Sequence, residues 1–300
     1  MKLNRLHLAG CVLVSLALAA GAQTTTAAKP AAASSDAGCF QLSLVTPVQI
    51  QNAERAINGL RINLIYGQNT DVSGMDIGLI NHATGSLKGF QLGAVNIAEG
   101  ASSALQLGFV NGVGEDLSGV QVAPAGVNYV GGGDMGWQLV AAGVNVAMNK
   151  MDGGQANAFG INYVGTDGDN QVSAAGINWI GEKQNGVQLV GAGLNYAGSD
   201  ADVQVSAAGL NIGLANVSAG QLVAAGLNCA LESVDNQILA AGMNYAGDAA
   251  SGIQLAGAGI NWAGGKTEAQ GVVLGLNACL DNVDGGQYNI AGANFANNDV

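Results

Sequence analysis

The residues of this chain that could do chemistry are few and scattered. Beyond His7, the only histidine is His82, in a turn after Asn81. A Ser-His-Asp relay or a histidine-based metal site therefore lacks its parts. Asp167-Gly-Asp169-Asn170 and Asp200-Ala-Asp202 could offer carboxylates to calcium, which wants several oxygens. Acidic residues are also common turn formers, and we read these as turns. Gly131-Gly-Gly133 has no following Lys-Ser or Lys-Thr, so it is not a phosphate loop. Cys39, Cys229 and Cys279 are an odd, widely spaced set and read as small buried hydrophobes rather than a disulfide framework. The sequence points to no catalytic residue, no cofactor and no metal.

What recurs is amide chemistry. Asparagine closes one phrase after another at Asn81, Asn96, Asn111, Asn128, Asn145, Asn162, Asn178, Asn195, Asn211, Asn228, Asn244, Asn261, Asn277 and Asn294. In the later units a glutamine precedes it by seven residues, as with Gln188, Gln204 and Gln221. Regular side-chain amides of this kind suit hydrogen bonding to a sheet better than the reading of a ligand. A fixed period says that the fold is one short unit copied many times. The intervals run 15, 15, 17, 17, 17 and then alternate between 16 and 17. From Asn162 onward the alternation lies in the connection from Asn to the next Gln, nine or ten residues long.

The elements that must position these amides are strands. The run Val187 to Ala197 carries no charge, has no helical period, and holds glycines that would cost a helix about 1 kcal/mol each against alanine. Before the repeats, Phe40 to Val45, Leu60 to Tyr66 and Val72 to Asn81 alternate as strands do. Connections such as Gly198-Ser-Asp-Ala-Asp202 and Gly264-Gly-Lys-Thr-Glu268 collect the charge.

Two architectures can stack such units. In a parallel β-solenoid of 15–17-residue coils every rung is equivalent and the amides form ladders. In an antiparallel meander successive turns lie at opposite ends, so two alternating turn lengths follow naturally. The alternation favours the meander, and about 16 strands is an even number that closes into a transmembrane β-barrel of porin size. A straight strand from Val187 would put Gln188 and Asn195 on opposite faces, neither polar enough for bulk water. The aromatics that follow the repeat asparagine, Tyr129, Tyr163, Trp179, Tyr196, Tyr245 and Trp262, would then form two interfacial girdles against outer-membrane lipid.

Composition bounds the rest. The chain is 49% hydrophobic and only 10% charged, too apolar for disorder and below the roughly 25–35% charge of a typical soluble surface. Its 21 acidic against nine basic residues exclude the basic stripe that nucleic acid requires. Residues 1–22 read as a signal peptide: Lys2 and Arg5, an apolar run from Leu6, then Ala20-Gly21-Ala22. Leu8-Ala9-Gly10-Cys11 offers a competing lipobox, but too few residues separate it from Arg5 for an h-region. Residues 23–38 read as a flexible Ala/Thr/Ser-rich leader and 39–300 as one repeat-built β domain. No later run is long and apolar enough to be a transmembrane helix.

The phrases Asn58-Gly-Leu-Arg-Ile-Asn-Leu-Ile-Tyr-Gly-Gln-Asn69, Ser73-Gly-Met-Asp-Ile-Gly-Leu-Ile-Asn81 and Gly89-Phe-Gln-Leu-Gly-Ala-Val-Asn96 resemble the bacterial surface-repeat family, whose units read Gly-Leu-Gln-Leu-Gly-Leu-Val-Asn. The resemblance covers residues 45 to about 128 and loosens afterwards, where two residues enter between Gln and Asn. It implies a secreted or surface-located protein and carries over no catalytic residue. The expected function is thus a structural or pore-type outer-membrane barrel without catalytic activity. The alternative is a secreted or surface-anchored solenoid for adhesion or protein interaction.

Overall fold

The computed structural model describes residues 37–297. The expected signal peptide, the lipobox at Cys11 and nearly all of the leader lie outside the described residues. Those described form one 19-stranded sheet wound into a parallel β-solenoid of about 16 turns. The antiparallel meander and its barrel are overturned: from Ile57–Asn69 to Gln287–Ala296, every strand pairs in parallel with its neighbours. Among the described residues one pair is antiparallel, where the two-residue strand Val48–Gln49 folds back on Gly38–Val45.

Strand propensity and stacking explain each rung. Val, Leu, Ile and aromatic side chains suit a pleated surface. Each copy places the same residue over its predecessor, so Gln188 sits on Gln171, Gly193 on Gly176 and Asn195 on Asn178.

The one-residue misfit that argued for a meander is absorbed within the coil. From Met151 onward each coil has an inward residue shortly before its glutamine, in the column Met151, Gly168, Gln184, Ala201, Val217. That residue precedes the glutamine by four residues in 17-residue coils and by three in 16-residue coils. The ladder shifts register there, between Met151 and Gly154, Ala201 and Val203, and Ala250 and Ile253. A β-bulge accommodates one extra residue on one strand at the cost of a local kink. The alternation therefore records a bulge at every second coil rather than two kinds of turn.

Each long strand is also bent. In Val187–Ala197 the ladder skips Gly191, and Gly193 holds φ at 143°. A side chain can scarcely adopt that backbone conformation, whereas glycine can. The bend reverses the inside-outside alternation, so Gln188, Val190, Asn195 and Ala197 are all buried. Gln and Asn line one interior, correcting the expectation of opposite faces.

The core is a set of columns along the axis. Ala147, Met151, Val164 and Ile180 pack as one cluster, and Ala197, Ala201, Val217, Ala230, Val234, Ala246 and Ala250 as another. Cys279 is buried in the alanine column, Cys229 is half-buried on the outside and Cys39 is exposed, so only Cys279 is a buried hydrophobe. Burial pushes the Cys229 and Cys279 thiols up, away from the reactive thiolate.

Candidate functional site

The interior carries two continuous amide ladders. From Asn81 to Asn294, each asparagine Nδ2 donates to the Oδ1 of the next asparagine at 2.8–3.0 Å. The predicted Asn128, Asn145, Asn162, Asn178, Asn195, Asn211, Asn228, Asn244 and Asn261 are all members, and all are fully buried. The glutamines run the other way: Gln204 Nε2 donates to Gln188 Oε1 at 2.8 Å, and Gln221 Nε2 to Gln204 Oε1 at 2.8 Å. Backbone carbonyls set both directions. Gln188 Nε2 also donates to Tyr196 O, and Asn195 Nδ2 to Val205 O in the next coil.

These amides are therefore spent on one another. A buried polar group costs little when paired and about 1–3 kcal/mol when orphaned. Asn195→Ala removes the donor to Val205 O and to Asn211 Oδ1 and the acceptor of Asn178 Nδ2. It is expected to cost about 2–3 kcal/mol in urea unfolding.

The ladders end at a cluster that the period concealed. Arg61 and Asp76 stand in the glutamine column, since Gln41 pairs with Arg61, Arg61 with Asp76 and Asp76 with Gln91. Arg61 Nε donates to Asp76 Oδ1 at 2.7 Å and Nη2 to Oδ2 at 2.5 Å, with both side chains wholly buried. Asp76 also accepts from Gln91 Nε2 at 2.8 Å and from Asn63 Nδ2 at 3.0 Å. Asn63 Nδ2 in turn reaches Asn81 Oδ1. A signal for this pair existed in the phrases Gly59-Leu-Arg61, Gly74-Met-Asp76 and Gly89-Phe-Gln91, which share one spacing after glycine.

A second buried acid sits further along. Asp134 replaces an apolar residue in the column between Leu117 and Met151 and is 1% exposed. Its Oδ1 accepts from Gly136 N, while Oδ2 has no partner. Burial pushes its carboxyl up to about 6, against a smaller downward pull from the Gly136 hydrogen bond. Because the folded value lies above the unfolded 3.8, stability is fully present below pH 3.8 and falls as pH rises to about 6. Asp134→Asn is expected to flatten that fall and to raise stability at neutral pH by about 2–3 kcal/mol. Urea midpoints measured across the same pH range check it.

The six aromatics do not form two girdles. Tyr129, Tyr163, Trp179, Tyr196, Tyr245 and Trp262 lie in one column on one outer face, each half-buried. Trp179 and Tyr196 stack with ring centroids 3.8 Å apart. Beside them runs an aliphatic column that includes Ile161, Leu210 and Ile260. Across the bend, the other face exposes Leu139, Val172, Leu189, Leu222, Ile238 and Leu255. The connections all fall along the third edge. There Asp167 accepts from Lys183 N, Asp200 from Asn216 N and Asp202 from Ser218 Oγ.

Enclosed chemistry is sparse. His82 lies within strand Val72–Ala83 rather than in a turn, between Tyr66 Oη at 2.9 Å and Glu99 Oε1 at 2.8 Å. Burial, with Glu99 adding to it, raises Tyr66 above its ordinary value, which disfavours a phenolate nucleophile. Two shallow grooves of about 310 and 550 Å³ run along the bend, walled by Leu139, Ala158, Val172 and Leu189. Their one amide without partners is Asn157. Among the described residues no cluster of His, Cys, Asp or Glu could hold a metal ion. Comparison of the chain with protein-family models, with curated proteins and with solved structures finds no match.

Proposed function

We propose that this chain is an exported bacterial surface β-solenoid that acts by lateral contact, in adhesion or protein interaction, and has no catalytic activity. The observation that carries the reading is the division of the outer surface. Two long faces carry Leu, Val, Ile, Tyr and Trp, and the charge is confined to the turn edge. Apolar patches beyond a few hundred Å² mark interaction surfaces, and repetition extends this one along the whole prism. The ladder amides are turned inward and paired, and Asn157 is the one unpartnered amide at the grooves. The amino-terminal segment and the resemblance of the repeat phrase to surface repeats support export and display.

Two measurements test it. Recovery in the culture medium, or release from cells without detergent, is expected; a requirement for detergent throughout would sink the reading. Leu189→Lys, Leu222→Lys and Leu255→Lys together should lower binding of the chain to an apolar surface severalfold with the fold intact. Asp200→Asn with Asp202→Asn on the turn edge should leave binding unchanged. Equal loss from both sets would show that the apolar face is not the contact.

A further inference from the structure

The two ends of the prism differ. At the amino-terminal end Val48–Gln49 covers the edge of Gly38–Val45, and Ile50 N donates to Leu42 O. The backbone of Gln51 closes over Gln41, donating to its Oε1 at 2.7 Å and accepting from its Nε2 at 3.1 Å. At the other end Gln287–Ala296 pairs with Thr267–Cys279 alone among the described residues. Its outer edge is a row of backbone donors and acceptors beside Tyr288, 64% exposed, Ile290, 81%, and Phe295, 52%. An open edge of this kind is a template for another strand.

The ladders state which strand fits. Because they run in opposite directions, they end differently here. Gln287 Nε2 is used on Gln270 Oε1, which leaves Gln287 Oε1 facing outward as an acceptor. Asn294 Oδ1 receives Asn277 Nδ2, while Asn294 Nδ2 bonds only its own coil's Gln287 O and retains a free donor. We propose that a second copy of this chain docks tail to tail on this edge, the two Gln287–Ala296 strands pairing antiparallel about a two-fold axis.

That symmetry sets Gln287 Oε1 of each copy opposite Asn294 Nδ2 of the other. The midpoint between positions 287 and 294 falls at Ile290 and Ala291, beside the bend at Gly292, so the axis passes through the bend and exchanges the two arms of the coil. Isologous closure leaves no open end, and the covered amino-terminal edge prevents head-to-tail growth. The dimer would present each apolar face at twice its length.

Light scattering on the full chain at micromolar concentration, purified without detergent, is expected to give twice the 29.7 kDa chain mass. Ile290→Lys should return it to one chain with an unchanged circular dichroism spectrum. Leu189→Lys, on the lateral face, should leave the dimer. Asn294→Asp keeps the acceptor for Asn277 and loses the outward donor together with the bond to Gln287 O in its own coil, so it should raise the dimer Kd about tenfold or more. A single-chain mass for the wild type would overturn the proposal. So would a dimer lost in Leu189→Lys and kept in Ile290→Lys, or growth into filaments that Ile290→Lys does not stop. Dissociation by Ile290→Lys with no effect of Asn294→Asp would overturn the amide pairing.

Discussion

Gly193→Ala is expected to cost about 4 kcal/mol or more, a loss in the range that marks a disrupted backbone rather than a trimmed contact. Two costs combine. At a φ of 143° an alanine is strained whatever space surrounds it, by about 1–3 kcal/mol. Its Cβ would also lie 1.9 Å from the Gly176 carbonyl oxygen, and that atom belongs to a stacked backbone that cannot step aside. The same approach repeats at Gly209 on Gly193 and Gly226 on Gly209, so relaxing one coil transmits the misfit to the next. Stability in such arrays is close to a sum of coil and neighbour terms, and a broken interface splits the prism into two shorter ones. Urea unfolding should therefore show a lowered midpoint and loss of the single cooperative step. Gly213→Ala provides the comparison: its φ is ordinary, its column holds Ala197 and Ala230, and its Cβ meets side chains rather than backbone, Val217 Cγ2 at 2.8 Å and Ala201 Cβ at 3.9 Å. Only a side chain has to shift, so it should cost about 1–3 kcal/mol and keep the single cooperative step.

The second large effect lies at Arg61 and Asp76. Removing one member of a buried ion pair leaves the other charge unpaired and costs about 3–5 kcal/mol. Arg61→Gln strands the Asp76 carboxylate with only amide donors from Gln91 and Asn63. Asp76→Gln strands a guanidinium whose remaining contacts are Asn69 Oδ1 and His82 O. The double variant R61Q/D76Q should recover most of the loss, because it continues the glutamine ladder of the later coils through the same column. Hydrogen exchange of Ile57–Asn69 and Val72–Ala83 amides reads the effect where it arises. Singles as mild as the double would show that the pair adds nothing as a pair.

These effects bear on why amides, rather than apolar residues alone, fill the interior. An apolar column tolerates slippage between coils. Asn195 does not, since Asn178 Nδ2, Asn211 Oδ1 and Val205 O define its place. The ladders hold the register of a sheet whose outer faces are apolar on both arms and supply little register information of their own. The Arg61–Asp76–Asn63 cluster gives both ladders a defined start.

The sequence by itself determined the period, the all-β class, the strands from Phe40, Leu60 and Val72, the gathering of charge at the connections (although Asp169 and Asp202, read as turn residues, stand at the starts of strands), and the asparagines and glutamines as structural amides. Each follows from residue type acting locally: glycine against helix, β-branched and aromatic residues for strand, Asp and Gly for turns. Only the tertiary structure decided strand direction. A meander and a solenoid bury similar amounts of apolar surface per strand, and they differ in which copy's backbone each N–H meets. That choice turned the 16 and 17 intervals from two turn types into a bulge at Ala201–Val203 and its equivalents. It gathered Tyr163, Trp179 and Tyr196 into one column instead of two girdles. Gly193 brought Gln188 and Asn195, seven residues apart, to the same side by a bend that a two-residue alternation cannot express. Arg61 and Asp76 became partners because stacking set positions 15 residues apart in contact. Spacing alone carries no contact between coils until their direction is known.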